Sequence, residues 1–324
     1  MAHFLNQLND AQRKAAEQTE GPIMVIAGAG SGKTRVLTYR IAYLLEKDVD
    51  AFNILALTFT NKAAREMKER IGKLVGQGEA KNLWMGTFHS IFARILRIEG
   101  EKLGYPQNFT IYDAEDSKKV ISKIIKEKNF DKDIYKAKSV FGRISSLKNN
   151  LITPKAYFQN GELQAQDSSA KMPMLGEIYK AYTERCFRAR CMDFDDLLLR
   201  TNELLYKFPD VLAKYQNRFK YILVDEYQDT NHSQYLIVKA LAAKYENICI
   251  VGDDAQSIYA FRGANIRNIL NFQKDYPETK LFKLEQNYRS TNNIVQAANS
   301  VIEKNKDQIR KNVWTQNSSG EKII

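Results

Sequence analysis

A strand–loop–helix pattern near the N-terminus constrains the fold of this chain more than any other segment. The apolar run Ile23–Ile26 leads into a glycine-rich turn, and apolar residues at helical spacing follow from Val36. The turn meets the pattern G-x-x-x-x-G-K-[ST] of a phosphate-binding loop, except that Ala27 occupies its first position. Glycines let backbone N–H groups curve around an anion, and the following helix N-terminus adds partial positive charge. The residues of the predicted phosphate loop are Ala27, Gly28, Ala29, Gly30, Ser31, Gly32, Lys33, Thr34 and Arg35.

Two signals together predict nucleotide chemistry. In the loop, Lys33 is expected to reach the terminal phosphates, and the Thr34 hydroxyl is expected to bind Mg²⁺. Further along, the apolar run Tyr221–Val224 ends in Asp225 and Glu226. Nucleotide hydrolysis needs one carboxylate for the metal and another to deprotonate the attacking water, so we assign Asp225 to Mg²⁺ and Glu226 to the base. A kinase would need no such glutamate, so the pair favours an ATPase with ATP and Mg²⁺ as cofactors.

The composition excludes several classes of protein. No apolar run approaches the roughly 18–20 residues of a membrane span. The N-terminus lacks a basic-then-apolar signal, so we expect a cytoplasmic protein with no membrane partner. Three cysteines and three histidines are too few and too unfavourably spaced for a zinc site or a disulfide framework. The net charge of +11 favours a polyanionic partner.

Short apolar runs predict the strands of a parallel sheet. They are Ile23–Ala27, Ile54–Phe59, Leu83–Gly86, Tyr221–Val224, Ile248–Val251 and Leu281–Leu284. Almost every run is followed by a polar or glycine-rich cluster and then by a helical pattern, which is typical of an α/β fold with helices on both faces of the sheet. In such sheets ligands bind at the carboxyl ends of the strands, where these polar clusters lie. The sequence therefore predicts a P-loop NTPase fold.

Between about residues 110 and 190 the strand pattern is absent, which predicts an all-helical insertion in the α/β domain. Asp113 begins one helical pattern, and Thr153 followed by Pro154 is typical of the start of another. Segment 161–173 is polar and weakly patterned, so it is predicted to be a loop. Much of the excess positive charge falls in this insertion.

Further segments resemble motifs of superfamily 1 DNA helicases of the UvrD/Rep/PcrA type, in the same order along the chain. They are Leu8–Gln12, Leu57–Ala64, Gly86–Ser90, Asp193–Leu197, Val251–Ala264 and Leu284–Thr291. With the phosphate loop and the Asp-Glu pair they extend through nearly the whole chain. The resemblance implies a RecA-like motor domain that uses ATP to move along single-stranded DNA, with 3′ to 5′ polarity.

The resemblance adds residues to the nucleotide site. Gln12 is expected to read the donor and acceptor edges of adenine, and Tyr288 is expected to stack on that base. Arg289 is expected to neutralise charge on the γ-phosphate as an arginine finger. Gln256 follows the end of a predicted strand, so it is expected to contact the γ-phosphate or its attacking water.

A second group of residues is expected to bind DNA. Single strands are typically held by aromatic rings and cations with little sequence preference. Tyr259, Phe261 and Arg262 offer these groups, although many relatives carry Trp where this chain has Phe261. Phe59 and His89 are candidates for further base pockets, with packing inside the protein as the alternative. The expected DNA-binding residues are Phe59, Thr60, Asn61, Thr87, His89, Asp193, Tyr259, Phe261 and Arg262.

The resemblance also predicts how the chain is divided. Residues 1–109 and 191–315 correspond to the first motor domain (1A), 110–190 to its insertion (1B), and 316–324 to the start of a second motor domain. Relatives bind ATP between two such domains, so we expect this chain to bind nucleotide but to turn it over poorly.

The expected partners are single-stranded DNA and, near the basic insertion, single-strand–duplex junctions. Repair or replication proteins are a further class of partner that the residues do not specify. Two alternatives stay open: the helicase subunit of a RecB/AddA-type recombination exonuclease, and a module that binds DNA or docks a partner without motor activity.

Overall fold

The computed structural model describes residues 3–256, 264–305 and 308–322, and the chain divides into two compact units. The first, here called the sheet unit, comprises Met1–Ile91, Ala213–Thr230 and Val238–Ile324. The second, here called the helical unit, comprises Phe92–Leu212 and Asn231–Ile237. The strands are β1 Ile23–Ala27, β2 Ile54–Thr58, β3 Trp84–Thr87, β4 Thr110–Tyr112, β5 Cys191–Asp193, β6 Tyr221–Val224, β7 Ile248–Gly252 and β8 Lys280–Leu284.

The helices connect these strands along the chain. They are α1 Asp10–Glu17, α2 Lys33–Glu46, α3 Asn61–Val75, α4 Gln77–Asn82, α5 Phe88–Glu99, α6 Ala114–Glu127, α7 Ala137–Asn149, α8 Pro154–Phe158, α9 Gly161–Ser169, α10 Leu175–Arg188, α11 Phe194–Lys207, α12 Pro209–Arg218, α13 His232–Ala242, α14 Arg267–Leu270, α15 Phe272–Asp275 and α16 Asn292–Ile302. No helix among the described residues is long and apolar enough to cross a membrane.

The sheet unit is built on six parallel strands in the order β3-β2-β6-β7-β1-β8. All six predicted runs form these strands, within one residue at each end. Every residue of β1, β2 and β7 is buried, because helices cover both faces of the sheet. The prediction of a parallel α/β sheet is confirmed, and the carboxyl ends of the strands meet at one edge.

Helix α2 ties the N-terminal helix α1 to the sheet. Its apolar residues, among them Val36 and Ile41, are buried in the main core of this unit. On its other side the buried guanidinium of Arg40 donates to the carbonyl oxygens of Ala15 at 3.2 Å and Thr19 at 2.9 Å, and also to that of Gln18. These carbonyls lie at the end of α1, where helical partners are absent, so Arg40 satisfies them. The bonds fix α1 beside the helix that begins with the phosphate loop.

The helical unit has its own apolar core, formed by α6, α7, α8 and α10. Asp113 caps α6 by accepting from the N–H groups of Glu115 and Asp116, both at 2.8 Å. Thr153 caps α8, and Pro154 is its first residue. Both predicted helix starts are therefore confirmed.

Two details of this unit differ from the sequence predictions. Segment 161–173 was predicted to be a loop, but Gly161–Ser169 forms α9. The polar residues of α9 hold it in place: Asp167 accepts from Arg143 at 2.8 Å and from the Tyr157 hydroxyl at 2.9 Å. The unit is also not all-helical, because it contains the parallel pair of short strands β4 and β5. The unit comprises Phe92–Leu212 and Asn231–Ile237, and the predicted domain bounds at 110 and 190 stay a prediction.

A buried lysine anchors α11 to α7. The side chain of Lys148 is 1% exposed, and its Nζ lies 2.7 Å from Asp193 Oδ2 and 2.9 Å from Asp196 Oδ1. Asp193 also caps α11 by accepting from the Asp196 N–H, and it accepts from the Tyr182 hydroxyl at 2.7 Å. A buried cation between two carboxylates leaves unpaired charge if it is removed.

We therefore predict that Lys148→Met destabilises the protein. The unfolding free energy should fall by about 3–5 kcal/mol, since two carboxylates would stay buried without their cation. Urea unfolding followed by circular dichroism measures the loss. Lys138→Met is the matched control, because Lys138 is exposed on the same helix and should change the stability little. Equal stability of the two variants would contradict the prediction.

Candidate nucleotide site

The predicted phosphate loop lies between β1 and α2 and borders a cavity of about 590 Å³. Gly30 and Gly32 adopt φ values of +72° and +87°, the left-handed region that favours glycine. Both the backbone N–H and the hydroxyl of Ser31 bond to the carbonyl oxygen of Gly28, at 3.2 and 2.7 Å. The residues that line the cavity are Gln12, Gly28, Ala29, Gly30, Ser31, Gly32, Lys33, Thr34, Arg35, Arg70, Glu226, Gln256, Tyr288 and Arg289.

The Gln12 side chain, which belongs to α1, holds this loop in place through hydrogen bonds at the edge of the cavity. Its amide nitrogen donates to the carbonyl oxygen of Ser31 at 3.0 Å, and its amide oxygen accepts from the Asn9 N–H at 3.2 Å. The second bond is half of a capping box that begins α1. Gln12 therefore links the start of α1 to the loop, while its contact with adenine stays a prediction.

Asp225 and Glu226 directly follow β6; Glu226 lines the cavity, and Asp225 is buried beside it in the chain. Glu226 Oε2 lies 3.8 Å from Lys33 Nζ, so the proposed base and the loop lysine form an ion pair beside the cavity that both of them line. Glu226 adopts φ +50° and ψ +45°, and its N–H donates to Asp225 Oδ1 at 3.1 Å. Burial, and then the charge of Glu226, raise the pKa of Asp225 to about 7.

These groups suit a magnesium ion. A buried carboxyl whose pKa is raised by burial and by a neighbouring carboxylate is stabilised as the anion when a cation binds beside it. Mg²⁺ prefers oxygen ligands and typically takes one or two carboxylates together with phosphate oxygens and water. No cluster of three metal-binding side chains occurs among the described residues. Thr34, which lines the cavity, and Asp225 are the residues that would hold Mg²⁺ together with a bound nucleotide, and this assignment stays a prediction.

Gln228 connects Asp253, which follows β7, to the proposed base, and Gln256 binds the same aspartate. The Gln256 amide, which lines the cavity, donates to Asp253 Oδ2 at 2.6 Å. The Gln228 amide donates to Glu226 Oε2 at 2.8 Å and accepts from the Asp253 N–H at 3.0 Å. Gln228 was not predicted as a site residue, although its position two residues after Glu226 on a tight turn was a usable signal.

Tyr288 and Arg289 reach the cavity because of Asn287, another residue that the sequence analysis missed. The Asn287 amide donates to the carbonyl oxygen of Ala29 at 2.7 Å and accepts from the Arg289 N–H at 2.8 Å. The Tyr288 N–H donates to the carbonyl oxygen of Gly30 at 3.0 Å. The Tyr288 ring is half exposed at the cavity, as a base-stacking residue needs. Arg70 of α3 also lines the cavity and was not predicted.

The expected DNA-binding residues of the sheet unit follow β2 and β3, which are neighbours at the far end of the sheet from β1. Thr60 and Asn61 are exposed, whereas Phe59 is partly buried against the Phe88 ring at 5.3 Å between centroids. His89 is partly buried, and Thr87 is buried with its hydroxyl accepting from the Ser90 N–H at 3.2 Å.

The remaining expected DNA contacts lie elsewhere. Asp193 is buried in the helical unit, where it binds Lys148 and caps α11, so the structure gives it an internal role; its contact with DNA stays a prediction. Tyr259, Phe261 and Arg262 lie outside the described residues.

Comparisons with known proteins agree with this arrangement. Residues 8–277 match the model of the UvrD/REP helicase N-terminal domain, and residues 282–324 match that of the UvrD-like helicase C-terminal domain. All 324 residues align at 51% identity with the ATP-dependent DNA helicase PcrA of Staphylococcus aureus strain Mu50 and with that of Staphylococcus epidermidis. The chain spans 43% and 44% of the lengths of these relatives.

The close fit around Gly30 gives a prediction for the loop. A Cβ at this position would lie 2.9 Å from the Arg289 Cβ, and the φ of +72° strains any residue but glycine. Gly30→Ala should therefore weaken ATP binding at least about tenfold, or about 1.4 kcal/mol. Titration calorimetry with Mg²⁺ and ATP measures this. Gly78→Ala is the control, because an added Cβ there meets nothing within 4 Å. Equal affinities of the two variants for ATP would show that ATP binding does not depend on the backbone conformation at Gly30.

Proposed function

This chain belongs to the UvrD/REP helicase family, and from that membership we propose that it supplies the ATP-hydrolysing motor part of a helicase that moves along single-stranded DNA, 3′ to 5′. One observation carries the proposal. Lys33 and Glu226 face each other at 3.8 Å beside a cavity that Gln256 and Arg289 also line. A phosphate-binding cation, a general base, a water-orienting amide and an arginine are the groups that hydrolysis of a terminal phosphate requires.

The roles follow from the contacts. With ATP bound, the Lys33 ammonium would leave Glu226 for the β and γ phosphates, because phosphate carries more negative charge than one carboxylate. Glu226 would then accept a proton from the attacking water, with its carboxylate oriented by the Gln228 amide. Arg289 would neutralise the charge that develops on the γ-phosphate. Mg²⁺, when bound by Thr34 and Asp225, supplies electrostatic stabilisation of the phosphate oxygens.

DNA binding belongs to a different part of the same sheet edge. Phe59, Thr60 and His89 follow β2 and β3, while the nucleotide residues follow β1, β6, β7 and β8. Among the nucleotide strands, β6, which carries the proposed base, is the one that pairs with β2. This order supports a motor in which ATP and a single strand bind to separate portions of one sheet. Binding to single-strand–duplex junctions is part of the proposal.

The two carboxylates should respond differently to substitution. In the full-length protein, Glu226→Gln should keep ATP affinity but lose about 10²–10⁴-fold in kcat, because it removes the base. Asp225→Asn should instead weaken the Mg²⁺-dependent part of ATP binding. DNA-stimulated phosphate release and calorimetry with and without Mg²⁺ separate these effects. Identical behaviour of the two variants would refute the division of roles, and a parent protein without ATPase activity would favour a docking module.

Aromatic stacking should account for part of the DNA affinity. Phe261→Ala is expected to weaken binding to oligo-dT by about 1–3 kcal/mol if the ring carries a stacked base. The stacking contribution should persist at high salt, whereas the phosphate contribution falls steeply. Fluorescence anisotropy in low and high salt measures both. Phe52→Ala serves as the control, since Phe52 is exposed before β2, at the opposite edge of the sheet. Unchanged affinity of the Phe261 variant would remove that ring from the DNA surface.

A further inference from the structure

Lys311 lies in the chain segment 308–315 of the sheet unit, and its side chain is almost completely buried. Its side chain is 5% exposed, and its Nζ lies 2.9 Å from Asp253 Oδ1 and 2.6 Å from Asp254 Oδ1. Asp254 Oδ2 also accepts from the Ile309 N–H at 2.6 Å, so this carboxylate binds the segment twice. Both aspartates directly follow β7.

Lys311 stays charged in this position. Burial alone would favour the neutral amine, but the charge of Asp253 and the hydrogen bonds to Asp254 and Asp253 outweigh it and raise the pKa of Lys311. The ammonium is therefore a permanent cation between two buried carboxylates at neutral pH. Its removal would deprive both carboxylates of this cationic partner, and they would repel each other or move apart.

Hydrogen bonds continue from Asp253 to the hydrolysis site. One carboxylate oxygen binds Lys311 and the other accepts from the Gln256 amide at 2.6 Å. The Asp253 N–H donates to Gln228 at 3.0 Å, and Gln228 donates to Glu226 Oε2 at 2.8 Å. A shift of Asp253 would therefore move both the water-orienting amide and the amide that orients the base.

The same segment touches the phosphate loop. The Val313 side chain occupies the space where a Cβ on Gly28 would lie, at 2.7 Å. The Trp314 backbone bonds on both sides to the segment after β8, through the Asn287 N–H at 2.7 Å and the Glu285 carbonyl at 2.9 Å. Segment 308–315 thus contacts the residues after β1, β7 and β8. Its ion pairs with the two aspartates after β7 are formed by Lys311.

We propose that Lys311 is a positioning residue for ATP hydrolysis, which fixes Asp253 so that Gln256 and the Gln228–Glu226 pair are aligned with the attacking water. The proposal rests on the ATPase function proposed above. Because Lys311 does not line the cavity, its loss should lower kcat and leave the affinity for ATP nearly unchanged. Loss of a residue with a purely structural role would lower the amount of folded protein but would leave kcat per ATP-binding molecule unchanged.

The test measures DNA-stimulated ATP hydrolysis by the full-length protein. Lys311→Met should lower kcat about tenfold, a part of the 10²–10⁴-fold contribution of a well-oriented base, with KM for ATP within about twofold of the parent. Lys311→Arg should recover most of the activity, since it keeps the cation. Lys283→Met is the matched control: Lys283 is exposed and binds the same segment, through the Arg310 carbonyl, without touching a carboxylate.

A double-mutant cycle with Glu226→Gln identifies the route of the effect. If Lys311 acts by aligning the base and its water, Lys311→Met should cost far less in the Glu226→Gln background than in the parent. An equal fold-loss in both backgrounds, or an unchanged kcat, would overturn the proposal. Should Lys311→Met fail to fold, Lys311→Gln replaces it in the same cycle, since it keeps a hydrogen-bond donor without the charge.

The controls keep this inference separate from the proposed function. Lys33→Ala should abolish ATP binding and hydrolysis if the ATPase assignment is correct. A parent protein without ATPase activity would refute the proposed function together with the inference. An active parent, an inactive Lys33→Ala variant and a fully active Lys311→Met variant would refute the role of Lys311 alone.

Discussion

The phosphate loop depends on hydrogen bonds that its carbonyl oxygens receive from the protein around it. An anion-binding loop must leave its N–H groups available for the anion. Its carbonyl oxygens therefore need hydrogen-bond donors from other parts of the protein. The carbonyl of Ser31 binds the Gln12 amide, that of Ala29 binds the Asn287 amide, and that of Gly30 binds the Tyr288 backbone. The loop is thereby shaped before a ligand arrives, and the residues after β8 are held beside it.

Parallel pairing explains why distant segments of sequence form one site. β1 pairs with β7 and β8, and β6 pairs with β7, so their carboxyl ends lie side by side. Each end contributes one polar group: Lys33 after β1, Glu226 after β6, Gln256 after β7 and Arg289 after β8. The order of strands, which no local pattern determines, decides that the proposed base lies between the other nucleotide residues and those after β2 and β3.

The sequence predicted what local patterns control. The six strands were recognisable because each is a short apolar run, and the starts of α6 and α8 because Asp113 and Thr153 are strong capping residues. Helix α9 was missed because Asp167 is polar, yet it is buried against Arg143 and Tyr157, partners that only the tertiary structure brings together. Asn287 and Lys311 were missed for the same reason: each acts on residues more than 50 positions away in the chain.

The backbone of Glu226 has a consequence for how this protein could evolve or be engineered. Its left-handed conformation is unfavourable for glutamate, costing on the order of 1 kcal/mol, whereas glycine or asparagine would adopt it readily. Selection for thermal stability alone would therefore favour replacing the residue that carries the proposed chemistry. The backbone of this turn and the chemistry proposed for it therefore favour different residues at position 226.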